Sequence, residues 1–194
     1  MHQDRGRIKD DIIKIMKVIG VVGYPASGKG EFSNIAKEQG IPVVVMGDMI
    51  RRRVTEKGLP LTDENIGNTA RELRAELGMD AIAILTANEI KKSMPPAVII
   101  DGIRGDAEVK YFRSVFSEFR LLAVTASFET RLFRMKNRGR SDDTTTPETL
   151  RARDEREESF GLARAMSLAD TKIENESTKE EFVAGIKTYL ENIA

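Results

Sequence analysis

From Lys17 onward, short apolar runs alternate with longer stretches whose apolar residues recur at helical spacing. That alternation is the signature of a parallel sheet covered by helices. Five runs predict buried strands: Lys17 to Val22, Pro42 to Met46, Ala97 to Asp101, Leu121 to Ala126 and Asp170 to Glu174. Helices are predicted near 29–38, 48–57, 64–76, 79–93, 106–117, 129–138, 148–168 and 178–192. The stretch between the second and third strands is longer than one crossover needs, so an extra helical subdomain is expected near 48–95. Thr146-Pro147-Glu148 is a good helix start, with a capping hydroxyl, a proline at the first position and an early carboxylate. Residues 1–16 are charge-rich ahead of Met16 and predict an extension, with Met16 an alternative start. The competing reading is a short docking helix, because Ile8, Ile12 and Ile15 share a helical face. Residues 17–194 are expected to form one domain.

Composition narrows the chemistry. A chain of 194 residues with 40% hydrophobic content suits one core and is short for two domains. Lys plus Arg and Asp plus Glu are both 31, so no overall field draws the molecule to nucleic acid or an anionic membrane. There is no cysteine and one histidine, His2, which removes disulfides, thiolate nucleophiles, structural zinc and histidine acid–base chemistry together. Carboxylates, Lys, Arg and backbone amides remain. No run approaches the roughly 20 apolar residues of a membrane span, and no signal-peptide pattern opens the chain, so a cytoplasmic location is expected.

The first strand runs directly into Gly23-Tyr24-Pro25-Ala26-Ser27-Gly28-Lys29-Gly30 and then a helical pattern. Glycines let backbone wrap a polyphosphate closely, so that successive amides and a helix N-terminus donate to its oxygens. Lys29 adds a movable positive charge where negative charge shifts during transfer. Strand, spacing and lysine together predict a phosphate cradle over Gly23 to Glu31. Gly30 stands where the general phosphate-loop pattern has a magnesium-binding hydroxyl.

That departure leads to a resemblance. The loop is similar to the G-x-P-G-x-G-K-G-T of adenylate kinases, with Ala26 replacing a glycine and Glu31 replacing the threonine. A carboxylate there would point away, cap the helix N-terminus or help hold a cation, and the sequence does not choose among these. Met46-Gly47-Asp48-Met49-Ile50-Arg51 is similar to the T-G-D-M-L-R of the same family, and Val98-Ile99-Ile100-Asp101-Gly102-Ile103-Arg104 is close to its D-G-F-P-R without the proline. Arg138-Gly139-Arg140-Ser141-Asp142-Asp143 and the helix carrying Arg153 resemble its arginine lid, expected near 134–156. Ala169 to Thr178 resembles the end strand of dephospho-coenzyme A kinases. The nearest likeness is to an uncharacterised archaeal group of small adenylate-kinase-like ATP-binding proteins, which share the M-K-V-I start at Met16 and the short R-S-D-D lid.

The resemblance implies a three-layer P-loop fold with a five-stranded parallel sheet, and an ATP- and Mg2+-dependent kinase. Arg51 and Arg104, with Asp48, would hold a small phosphate-bearing acceptor such as a nucleoside monophosphate. Asp101 and Asp48 would hold the cation through water. Lys29, Arg138, Arg140 and Arg153 would neutralise the transferring phosphoryl. No general base is apparent. The implied protein is a monomer or weak homodimer without nucleic-acid or membrane partners. Two other readings stay open: a nucleotide-driven switch acting on a protein partner, and a kinase of a small metabolite such as dephospho-coenzyme A. Arg51 to Arg53 also fits a plain basic helix face, and Arg153 to Glu158 an exposed helix laced with salt bridges.

Overall fold

The computed structural model describes residues 15–138 and 146–192. Its sheet is parallel, in the order β2-β3-β1-β4-β5, from β1 (Lys17–Val22), β2 (Val43–Val45), β3 (Ala97–Ile103), β4 (Phe119–Thr125) and β5 (Thr171–Glu174). The helices among the described residues are α1 (Lys29–Glu38), α2 (Met46–Glu56), α3 (Asp63–Leu77), α4 (Ala81–Ser93), α5 (Asp106–Val115), α6 (Phe128–Arg138), α7 (Pro147–Ser159), α8 (Leu162–Ser167) and α9 (Lys179–Glu191).

Alternate side chains of the three central strands feed two separate cores. Val18 and Val22 of β1, Val98 and Ile100 of β3, and Leu121 and Ala123 of β4 join one core with residues of α2 to α5 and α8. Ile19 and Val21, Ile99, and Leu122 and Val124 join the other, with α1 and α9. A strand covered on both faces has no polar side, which is why these segments read as unbroken apolar runs. Three layers follow from that pattern.

All five predicted strands are present, with ends moved by one or two residues. β4 begins at Phe119 because Arg120, exposed, interrupts the apolar run without interrupting the ladder. The predicted subdomain is α2, α3 and α4, which pack on one another. Thr146 caps α7 as expected, accepting from the amide of Thr149, with Pro147 opening the helix.

Two boundaries are corrected. The predicted helix over 148–168 is two helices, because Phe160-Gly161 breaks it. Gly161 has φ 96°, and a Cβ there would lie 2.8 Å from Asp106 Oδ1, so the break needs glycine. The charge pattern assigns Met16 to the N-terminal extension, but Met16 is buried at 1% exposure while Ile15 beside it is 73% exposed. The core therefore starts one residue earlier than the charge pattern indicated. The competing docking helix over Ile8 and Ile12 lies outside the described residues.

Candidate active site

The glycine loop hangs between the end of β1 and the start of α1. Its backbone is turned by Ala26 at φ 62° and Gly28 at φ 118°. A Cβ on Gly28 would meet Asn175 Nδ2 at 2.4 Å and the Phe182 ring at 2.9 Å, so conformation and space both require glycine. No side chain caps α1, whose first turn faces the loop. The Lys29 ammonium folds back into the cradle, donating to the carbonyls of Gly23 at 2.6 Å and Tyr24 at 2.9 Å. Burial pulls its pKa down to about 8, opposed by the nearby charge of Asp101 and then of Glu157.

Neighbouring elements brace this loop at several points. Asn175, buried at the end of β5, donates to the Ser27 carbonyl at 2.8 Å and accepts from Arg134 at 2.9 Å. Arg131 of α6 donates to the Pro25 carbonyl at 3.3 Å and makes a two-pronged bond with Asp154 of α7, at 2.8 and 2.7 Å. Its guanidinium lies over the rings of Tyr24 and Phe128. The Tyr24 hydroxyl donates to Glu158 at 2.5 Å, and burial followed by that bond pushes its pKa up to about 12. Glu31 faces Lys179 of α9 at 3.5 Å, which fits a carboxylate in a first helical turn.

Asp101 stands in β3 opposite Val21 of β1 and Val45 of β2. One of its oxygens accepts from Ser33, a buried serine one turn beyond Gly30, at 2.8 Å. Among the described residues no cluster of three His, Cys, Asp or Glu side chains forms. One oriented carboxylate beside a phosphate cradle fits magnesium, which keeps several waters and takes its remaining ligands from substrate phosphates. Asp101 would hold it. Asp48, the other expected carboxylate, pairs with Arg51 at 2.7 Å, and both side chains are more than half exposed.

A cleft of about 100 Å³ opens beside the loop, lined by Lys29, Arg104, Arg153, Glu157 and the apolar Ile103 and Leu162. Arg104 donates to Glu157 Oε1 at 2.6 Å. α7 builds this wall by helical spacing: Arg153 and Glu157, four apart, face the cleft, while Asp154 and Glu158, also four apart, hold Arg131 and Tyr24. The structure thus brings together Lys29, Arg104 and Arg153 of the expected site. Arg51 does not line the cleft, folding instead over Gly47 in the first turn of α2, whose Met46 adjoins Gly102. Arg138 ends α6, and Arg140 lies outside the described residues.

Sequence reasoning missed Glu157, Ser33 and Arg131 as parts of the site, and gave Asn175 little weight. Only Glu157 left a usable signal, its i, i+4 spacing from Arg153.

The chain matches the AAA domain family over residues 19–161. The UPF0200 protein of Methanoculleus marisnigri is 59% identical over 175 residues, covering 90% of this chain and 96% of that protein. The UPF0200 protein of Methanoregula boonei is 55% identical over 178 residues, covering 92% and 98%. Among solved structures, TT1252 from Thermus thermophilus aligns with a TM-score of 0.64 and 19% identity over 93% of this chain and 100% of that one. Shikimate kinase from Bacteroides thetaiotaomicron aligns with a TM-score of 0.58 and 14% identity over 91% and 98%. At these identities the likeness to solved structures establishes the fold, a three-layer P-loop kinase fold. No helix among the described residues is long and apolar enough to cross a membrane.

Proposed function

The chain belongs to the UPF0200 family and carries an AAA domain, and from that premise we propose that it is an ATP-dependent phosphotransferase passing the γ-phosphoryl to a small phosphorylated acceptor, of which a nucleoside monophosphate is the simplest. The observation that carries this reading is the shared cleft: a cradle lysine held on loop carbonyls, with Arg104 and Arg153 across from it. A loop that only bound nucleotide would have no need of cations on the far side of the transferring group.

The residues divide the work by position. The loop backbone receives the polyphosphate, and Lys29 turns from the carbonyls of Gly23 and Tyr24 to its β/γ oxygens. Asp101, oriented by Ser33, would hold Mg2+ through water, and the ion would supply charge neutralisation on the phosphates. Arg153 would neutralise charge building on the phosphoryl, and Arg104, joined by Arg51 if that side chain leaves Asp48, would hold the acceptor's anionic group. Positioning and electrostatics supply most of the acceleration. The balanced charge favours neither nucleic acid nor an anionic membrane as a partner, and the proposal takes the protein as cytoplasmic and monomeric or weakly dimeric.

A coupled assay tests the reading: purified protein and Mg-ATP with AMP, other nucleoside monophosphates, dephospho-coenzyme A or no acceptor. Acceptor-dependent ADP formation, lost at least a hundredfold in Lys29→Ala, is the expected result. Tight ATP binding with no acceptor-dependent turnover would instead favour a nucleotide-driven switch. That second reading draws support from the carboxylate partners on both candidate clamp arginines, Asp48 on Arg51 and Glu157 on Arg104.

A further inference from the structure

A carboxylate inside a phosphoryl-transfer cleft calls for a reason. Glu157 is 8% exposed, lines the cleft with Lys29 and Arg153, and accepts at Oε1 from Arg104 at 2.6 Å. No described residue donates a hydrogen bond to its Oε2, while the side chain lines the cleft. The neighbouring wall is apolar, formed by Ile103 and Leu162.

An acceptor phosphate is a poor fit for this place as the reacting group. Glu157 already occupies Arg104, the cation such a phosphate would need, and sets a like charge beside it. A phosphate would also leave Oε2 without a task, because a phosphate oxygen attacks without losing a proton. A hydroxyl has neither problem. It is neutral, donates one hydrogen bond, and must lose its proton as it attacks.

We infer that the nucleophile accepted in this cleft is an alcohol hydroxyl, and that Glu157 is the general base that takes its proton. The proposal rests on the phosphotransferase reading above and narrows its acceptor to a hydroxyl-bearing anion. The hydroxyl donates to Glu157 Oε2, and its oxygen forms a bond to the γ-phosphorus as the bond to the β,γ-bridging oxygen breaks. The bridging oxygen keeps that bond's electron pair and departs with ADP. The hydroxyl's proton passes to Glu157 and from there to water, leaving a phosphate monoester. Arg104, held at Oε1, keeps the carboxylate turned so that Oε2 faces the acceptor.

Water is itself an O–H nucleophile, so hydrolysis of Mg-ATP without acceptor probes the base directly. The full chain and its Glu157→Gln, Glu157→Asp and Glu157→Ala variants are compared in hydrolysis, in nucleotide affinity by titration, and in ADP formation with dephospho-coenzyme A as the hydroxyl probe and AMP and CMP as phosphate probes. The expected result is a loss of about a hundredfold or more in kcat for Glu157→Gln with nucleotide Kd changed less than about threefold, partial retention in Glu157→Asp, and restoration of Glu157→Ala by added formate. A brace for Arg104 alone would not be restored by a small free carboxylate. AMP or CMP turned over by Glu157→Gln as fast as by the unaltered protein would overturn the hydroxyl inference and leave the phosphotransferase standing. Absence of turnover by the unaltered protein with every probe and with water would overturn the phosphotransferase reading, and this inference with it.

Discussion

Lys29 carries the most testable physics of any single residue. Its free-state pKa of about 8 means that its charge is weakly held in the folded cradle, where burial disfavours the ammonium. The unfolded chain, with an ordinary lysine, binds more protons between pH 8 and its normal value near 10.5. Stability should therefore rise with pH across that window, and urea midpoints of the protein and of Lys29→Met should converge as pH approaches 10. Nucleotide affinity should move the other way, since polyphosphate selects the charged form. ATP titrations should weaken as pH climbs past about 8, and Lys29→Arg, charged throughout, should lose that dependence. Ala26 shows what was legible at this scale and what was not. The adenylate kinase likeness marks it as standing in for glycine, and its φ of 62° shows that it keeps the glycine conformation, at a cost of about 1–2 kcal/mol. The loop is local in sequence, so its chemistry could be read from nine consecutive residues. The cleft carboxylate could not. Glu157 meets Arg104 across 53 positions, and in sequence it is one charge in a run, Arg153 to Glu158, that reads equally well as a solvated helix face.

Among the elements, α7 shows why such a run misleads. Four of its charged residues form not one surface but two, Arg153 and Glu157 toward the cleft and Asp154 and Glu158 toward Arg131 and Tyr24. Periodicity finds apolar faces, and a helix that packs by polar contacts offers none. The strands were legible for the opposite reason, since burial on both faces leaves little but apolar residues. The missed break after α7 has a similar origin: Leu150, Leu162 and Ala165 are buried on both sides of it, so the apolar spacing gave no warning, and only Gly161 marks the turn. Gly161→Ala would force alanine into a φ of 96° and press its Cβ to 2.8 Å from Asp106 Oδ1. We expect a loss of about 1–2 kcal/mol in denaturant unfolding, with lower activity because α7 would no longer sit correctly over the loop.

For the whole molecule, a buried ion pair joins the subdomain to α5, which packs on the sheet. Arg74 of α3 lies 3.6 Å from Glu108 of α5 and over the ring of Phe160, at the break between α7 and α8. The other oxygen of Glu108 accepts from the amides of Arg104 and Gly105. Burial pushes the Glu108 pKa up, opposed by the Arg104 amide and the Arg74 charge. Removing Arg74 leaves a buried carboxylate without its counter-ion, which costs about 3–5 kcal/mol. In Arg74→Met the folded pKa of Glu108 would lie further above its unfolded value. The variant's deficit should be small below the unfolded pKa and grow as pH rises through the folded one, a trend that urea midpoints from pH 4 to 7 would expose. The strand order has a consequence of a different kind. β1 lies at the centre of the sheet, yet its partners are distant along the chain: Lys17 pairs opposite Ala97, and Val18 opposite Phe119. At a synthesis rate of about 5–20 residues per second, the strand that leads into the cradle waits about 4–16 seconds for its first neighbour and longer for its second. The nucleotide loop is thus made early and completed late, and during translation its apolar strand stays without its sheet partners for that interval.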